Sequence, residues 1–197
     1  MTGLAMKKFN FEETKLDGAY LIDPFFAPDH RGAFLKDYNA EVFKEHGIDG
    51  ELKETFYTVS KKGVIRAIHF QLGKPQAKLV RCIKGRIYDV IVDLREESDT
   101  FGQWFGTELN ESNMKELYVP ERFGHGYLVL EDSVVSYKCF EGFFAEGDSG
   151  IAYNDSELGI EWPLNEIGGE ESIIISEKDM NLMSFSDYKK RIKSNNV

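Results

Sequence analysis

Short apolar segments of strand length, separated by turn residues, run through this chain, and helical periodicity is sparse. Many short strands with little helix leave an all-β sandwich or barrel as the expected fold. Candidate strands lie at 19–22, 33–37, 54–60, 64–71, 78–83, 86–94, 106–109, 117–119, 126–130 and 134–140. Lys84-Gly85 reads as a tight turn between two strong strands. In the segment 86–94, Tyr88, Val90, Val92 and Leu94 share one face, and Ile87, Asp89, Ile91 and Asp93 share the other. A strand apolar on one face and mixed on the other suits a sandwich whose inside holds a polar site. Asn39 can cap a short helix ending at Gly47. Further helices are expected from about Glu177 and over about 186–193.

A chain of 197 residues is expected to form a single domain with a real core. Residues 1–7 read as an N-terminal extension and about 183–197 as a helical tail. The net charge of −10 argues against a nucleic-acid partner. A small anionic ligand needs only a local cluster of Arg and Lys and is not excluded. No apolar run reaches transmembrane length, and the start lacks a signal-peptide apolar region. The two cysteines, Cys82 and Cys139, form no CxxC pair and read as reduced core thiols of a cytoplasmic protein.

Polar side chains are set into this apolar pattern. Gly63-Val-Ile-Arg-Ala-Ile-His-Phe-Gln71 is a strand carrying both Arg66 and His69. Alone, His69 reads as a core histidine bonded to a carbonyl, because a buried ring needs a partner. Alone, Lys78 reads as a solvated strand start, His125 as a turn residue and Tyr137 as a core tyrosine with its hydroxyl at the rim. Together they are titratable groups on separate strands of a closed β fold, where such groups can meet in one pocket. Strict alternation puts Arg66 and His69 on opposite faces. A shared pocket therefore requires a bulge between them or a reach from the strand end. The four histidines, His30, His46, His69 and His125, lack the spacing of a metal-binding barrel, so no metal is expected.

These residues sit in segments that resemble the dTDP-4-dehydrorhamnose 3,5-epimerase family. The segments are Asp29-His-Arg-Gly32, Val64 to Gln71, Ala77-Lys-Leu-Val-Arg-Cys82, Tyr88 to Arg95 and Thr100-Phe-Gly-Gln-Trp104. They continue with Val119 to Gly126, Ser136-Tyr-Lys138, Tyr153-Asn-Asp155, Gly159 to Pro163 and Ser176-Glu-Lys-Asp179. Their order and spacing match over roughly residues 8–182. The resemblance implies a cupin jelly roll, a homodimer and cofactor-free inversion of carbons beside the ketone of a nucleotide-linked sugar. The segment 19–23, a short apolar strand with polar flanks, would be an open edge crossing to the partner.

The resemblance also implies roles. His69 would remove the α-proton, oriented by Asp179. Lys78 would stabilise the enolate oxygen, and Tyr137 would return a proton on the other face. Arg66 and His125 would contact the sugar. Arg31 would bind the diphosphate, Phe34 would stack on the base, and Lys178 and Asp148 would complete the binding set. The chain departs from the usual pattern at Lys36, at Glu54-Thr-Phe56 and at Ile65-Arg-Ala-Ile-His69, mostly on the nucleotide side. Two other classes fit less well. A ketone-moving isomerase needs no donor on the opposite face, and a non-catalytic sugar-binding cupin needs no His–Asp pair.

Overall fold

Lys84-Gly85 is a corner inside one long strand, not a hairpin turn. The computed structural model describes residues 5–194, so residues 1–4 of the expected extension and 195–197 of the expected tail lie outside the described residues. The strands are β1 (Asn10–Glu13), β2 (Tyr20–Asp23), β3 (Phe25–Asp29), β4 (Gly32–Lys36), β5 (Glu54–Ser60) and β6 (Ile65–Gln71). They continue with β7 (Lys78–Asp93), β8 (Trp104–Asn110), β9 (Glu116–Val119), β10 (Phe123–Cys139) and β11 (Asp148–Ile151). The helices are α1 (Ala40–Lys44), α2 (Glu177–Met180) and α3 (Phe185–Ser194). The fold is the expected all-β jelly roll with short peripheral helices.

The long strands β7 and β10 pair antiparallel along their lengths and serve both layers. In one layer, the start of β7 continues through β9 and β2 to β1, and the end of β10 pairs with β5. In the other, the end of β7 pairs with β8, and the start of β10 continues through β6 to β11. Register breaks in β10 between Val129 and Val135 mark the bend. Gly85 faces it with φ +76°, and a Cβ there would stand 2.2 Å from the Asp132 carbonyl oxygen. Only glycine fits that approach. The same bend fuses the expected strands 126–130 and 134–140 into β10.

Alternation sorts the core. Val80, Cys82, Ile87, Ile91, Tyr127, Val135 and Tyr137 pack together in one cluster. The opposite faces, with Ile68, Phe70, Val90, Val92 and Leu94, bury against Phe185 and Tyr188 of α3. The mixed face of β7 is therefore the inner one. β2 is flanked by β1 and β9 in the same chain, so 19–23 is not the open edge expected from its sequence. β5 pairs on one side only and leaves Phe56, Tyr57 and Val59 exposed.

Asp93 closes β7 as a buried anion. Arg95 donates to it from its backbone N–H and from Nε and Nη2, and Ser98 and Thr100 donate at 2.6 Å each. Burial alone would raise its pKa, but these donors hold it at about 2, below its ordinary 3.8. A carboxylate with a depressed folded pKa stabilises above its unfolded pKa and loses that as pH falls through the folded one. Between about pH 5 and pH 2 the protein should lose about 2 kcal/mol from this group. Urea titrations across that range check it, and Asp93→Asn should flatten this part of the profile.

Candidate active site

A β-bulge brings Arg66 and His69 to one cavity. His69 pairs with His125 of β10, but Arg66 pairs with Tyr127, so β6 spends an extra residue between them. Both side chains line a cavity of about 460 Å³ with Val64, Ile174, Lys178 and Asp179. Of the two routes to a shared pocket set out from the sequence, the bulge is the one the chain takes.

One wall of this cavity is fixed by backbone bonds. Ile65 N–H donates to Ile174 O at 3.0 Å, and Ile174 N–H to Gly63 O at 2.8 Å. Gly63 has φ +86°, and a Cβ there would stand 2.4 Å from Ser172 O. This close passage places α2 beside β6. Ser176 caps α2, accepting from Asp179 N–H at 3.1 Å. The Asp179 carboxylate then lies 3.2 Å from His69 Nε2. Asp179 is buried and His69 half-buried, so the imidazole keeps access to the cavity.

Behind His69, the inside of the barrel holds a second imidazole–carboxylate pair. His125 Nε2 lies 2.8 Å from Asp89 Oδ1, and both residues are buried. Burial pushes the Asp89 carboxyl up, opposed by His125 and Lys78. The Tyr137 ring meets His125 edge-on at 5.9 Å and stacks on Phe56 at 4.7 Å. Burial first, then Tyr127 and Asp89, raise the Tyr137 phenol well above its ordinary range, with Arg66 opposing. The group is therefore a neutral O–H at physiological pH. Burial draws the Lys78 ammonium down, against the charges of Cys139, Asp89 and Asp148. Arg66 donates from Nη2 to Ser60 Oγ at 3.2 Å, while its Nε is buried with no partner among the described residues. An orphaned buried donor is costly until an acceptor reaches it.

The remaining expected residues are placed differently. Lys178 lines the cavity and pairs with Asp148, which does not itself line it. Arg31 and Phe34 lie on the β3–β4 hairpin, exposed and outside the cavity, with Arg31 paired to Asp29 at 2.6 Å. Asp89 was missed as a site residue, although its place on the mixed face of β7 was the available signal. A groove of about 320 Å³ on the outer side, lined by Phe70, Leu94, Arg122 and Tyr188, holds no imidazole–carboxylate pair. Among the described residues, no three His, Cys, Asp or Glu side chains are grouped to hold a metal ion, and no helix is long and apolar enough to cross a membrane.

A jelly roll with imidazoles and a phenol facing its interior defines the chain as a cupin-type barrel. The comparisons go further. The model of the dTDP-4-dehydrorhamnose 3,5-epimerase family matches residues 13–187. The dTDP-4-dehydrorhamnose 3,5-epimerase of Methanothermobacter thermautotrophicus is 46% identical over 89% of this chain and 94% of its own. The crystal structure of the enzyme of that name from Elizabethkingia anophelis superposes with a TM-score of 0.86 at 41% identity, covering 91% of this chain and 97% of that one. A dTDP-6-deoxy-D-glucose-3,5-epimerase from Legionella pneumophila, in complex with dTDP-4-keto-L-rhamnose, matches with a TM-score of 0.85 at 34% identity, covering 91% and 94%. The chain belongs to the dTDP-4-dehydrorhamnose 3,5-epimerase family and is an isomerase of deoxysugar biosynthesis.

Proposed function

We propose that this protein inverts carbon 3, carbon 5 or both in a nucleotide-diphosphate-linked 4-keto-6-deoxy sugar, through an enolate and without a cofactor. The reading rests on one arrangement: an imidazole oriented by a carboxylate, and a buried neutral phenol, on neighbouring strands of one barrel. His69 takes the α-proton on the ring nitrogen turned away from Asp179, and Asp179 supports the imidazolium that forms. The C–H electron pair moves into the enolate, whose oxygen Lys78 stabilises. Tyr137 returns a proton to the carbon from the other face, and the two groups are then reset through solvent, His69 releasing the proton it took and Tyr137 gaining one. Arg66, through its unpaired Nε, and Lys178 hold oxygens of the substrate, and His125 contacts the sugar. Free, buried Cys82 and Cys139 suit a reducing compartment, the cytoplasm.

Incubation with dTDP-4-keto-6-deoxyglucose in the presence of chelator tests the reaction. NMR of the product should show inverted carbons at an undiminished rate. A moved ketone would make the protein an isomerase of another kind, and unchanged sugar would leave a binding module. Activity lost on chelation and restored by one divalent metal would overturn the metal-free assignment.

We infer further that the protein works as a homodimer in which the partner's β3–β4 hairpin brings Arg31 and Phe34 to the cavity. The hairpin forms its own small sheet, exposes both residues, and does not line the cavity of its own chain. Sedimentation should give a dimer at micromolar concentration. Mixing inactive His69→Ala and Arg31→Ala chains should restore activity, because mixed dimers contain one intact site. Failure of the mixture to regain activity would contradict the exchange.

A further inference from the structure

The inward face of β5 touches the proposed machinery at two positions, with a third inward contact between them. Phe56 stands opposite Tyr137 in the β5–β10 register and stacks on its ring at 4.7 Å with 12° between the planes. Thr58 Oγ1 lies 2.8 Å from the Tyr127 hydroxyl. Ser60 Oγ accepts from Arg66 Nη2 at 3.2 Å. The spacing of two along a strand puts all three side chains on one face. β5 is held on one side only, by β10, and Phe56 remains 42% exposed. A directly opposite cross-strand aromatic pair holds its two rings in a fixed relation, so the attitude of the buried Tyr137 ring depends on Phe56.

We propose that the inward face of β5 positions the reaction, Phe56 fixing the attitude of the Tyr137 ring and Ser60 fixing the Arg66 guanidinium. Neither residue touches a reacting atom. Both act through a neighbour, and the inference rests on the roles given above to Tyr137 and Arg66. The two contacts serve different steps. Tyr137 acts in proton return, so loosening its ring should reduce turnover. Arg66 acts in binding, so loosening its guanidinium should weaken substrate affinity.

The test is a steady-state comparison of Phe56→Leu, Phe56→Tyr and Ser60→Ala in the full-length protein, with melting temperatures recorded alongside. Phe56→Leu should lower kcat about three- to tenfold with KM nearly unchanged, the scale of an aromatic stacking contact. Phe56→Tyr keeps a stackable ring and should restore kcat. Ser60→Ala should raise KM about three- to tenfold with kcat nearly unchanged, the scale of one ordinary net hydrogen bond. Variants that lower melting temperature while leaving both constants unchanged, or that change kcat and KM without this split, would overturn the proposal. Tyr137→Phe separates the two levels. If it turns over like the unaltered protein, the donor assignment itself falls. If it is impaired while Phe56→Leu is not, only the positioning role falls.

Discussion

Replacing His69 with alanine lowers turnover by about two to four orders of magnitude, the span of a positioned general base. Binding should suffer far less, because Arg66 and Lys178 still line the cavity. The prediction follows from where the bulge in β6 and the capped turn of α2 place the ring. Its Nε2 lies 3.2 Å from Asp179, and its Cα faces that of His125. Asp179→Asn keeps the shape but leaves the imidazolium unsupported, and should lose turnover without unfolding the protein. Steady-state rates with a fluorescence-monitored melt separate the two effects. His69→Ala turning over within a few-fold of the unaltered protein would remove the assignment.

Asp89→Ala destabilises the fold by about 1–3 kcal/mol, the cost of leaving a buried hydrogen-bonding group without its partner. Asp89 is fully buried and His125 nearly so, with 2.8 Å between them. Removing the carboxylate strands the imidazole inside the barrel and takes a counter-charge from Lys78. His125→Ala should cost a similar amount by stranding Asp89. Asp89→Asn should cost less, since an amide can still hydrogen-bond the ring. Urea denaturation of the three variants gives the numbers. A double variant no worse than either single one would show the energy to be shared.

The sequence carried the fold class because alternation in segments such as 86–94 is a local signal. It did not carry β1, β3 or β11. Asn10–Glu13 is mostly polar, Phe25–Asp29 contains Pro28, and Asp148–Ile151 is short with a glycine. Each is defined by the strand it pairs with, not by its own residues. Nor did local reading distinguish a hairpin from a corner at Gly85, since both want φ > 0. The packing against Asp132 O decides it. At the site, His69 was legible as an odd residue in an apolar strand, but its partner Asp179 lies 110 residues away and came only through family resemblance. The Asp89–His125 pair was half legible: the mixed face of β7 was read, but nothing local says which histidine it meets. The contacts of Phe56 and Ser60 depend on the pairing of β5 with β10 and on the bulge in β6. Neither has a signature in either strand alone.

The central claim, that this barrel moves a proton on carbon through His69, is tested most directly by solvent exchange. The protein is incubated with dTDP-4-keto-6-deoxyglucose in deuterated water, and deuterium is located by NMR and mass spectrometry. The account predicts deuterium at each inverted carbon for the unaltered protein, and an exchange rate about two to four orders of magnitude lower for His69→Ala. Inverted product without deuterium, or exchange in His69→Ala at the unaltered rate, would contradict it.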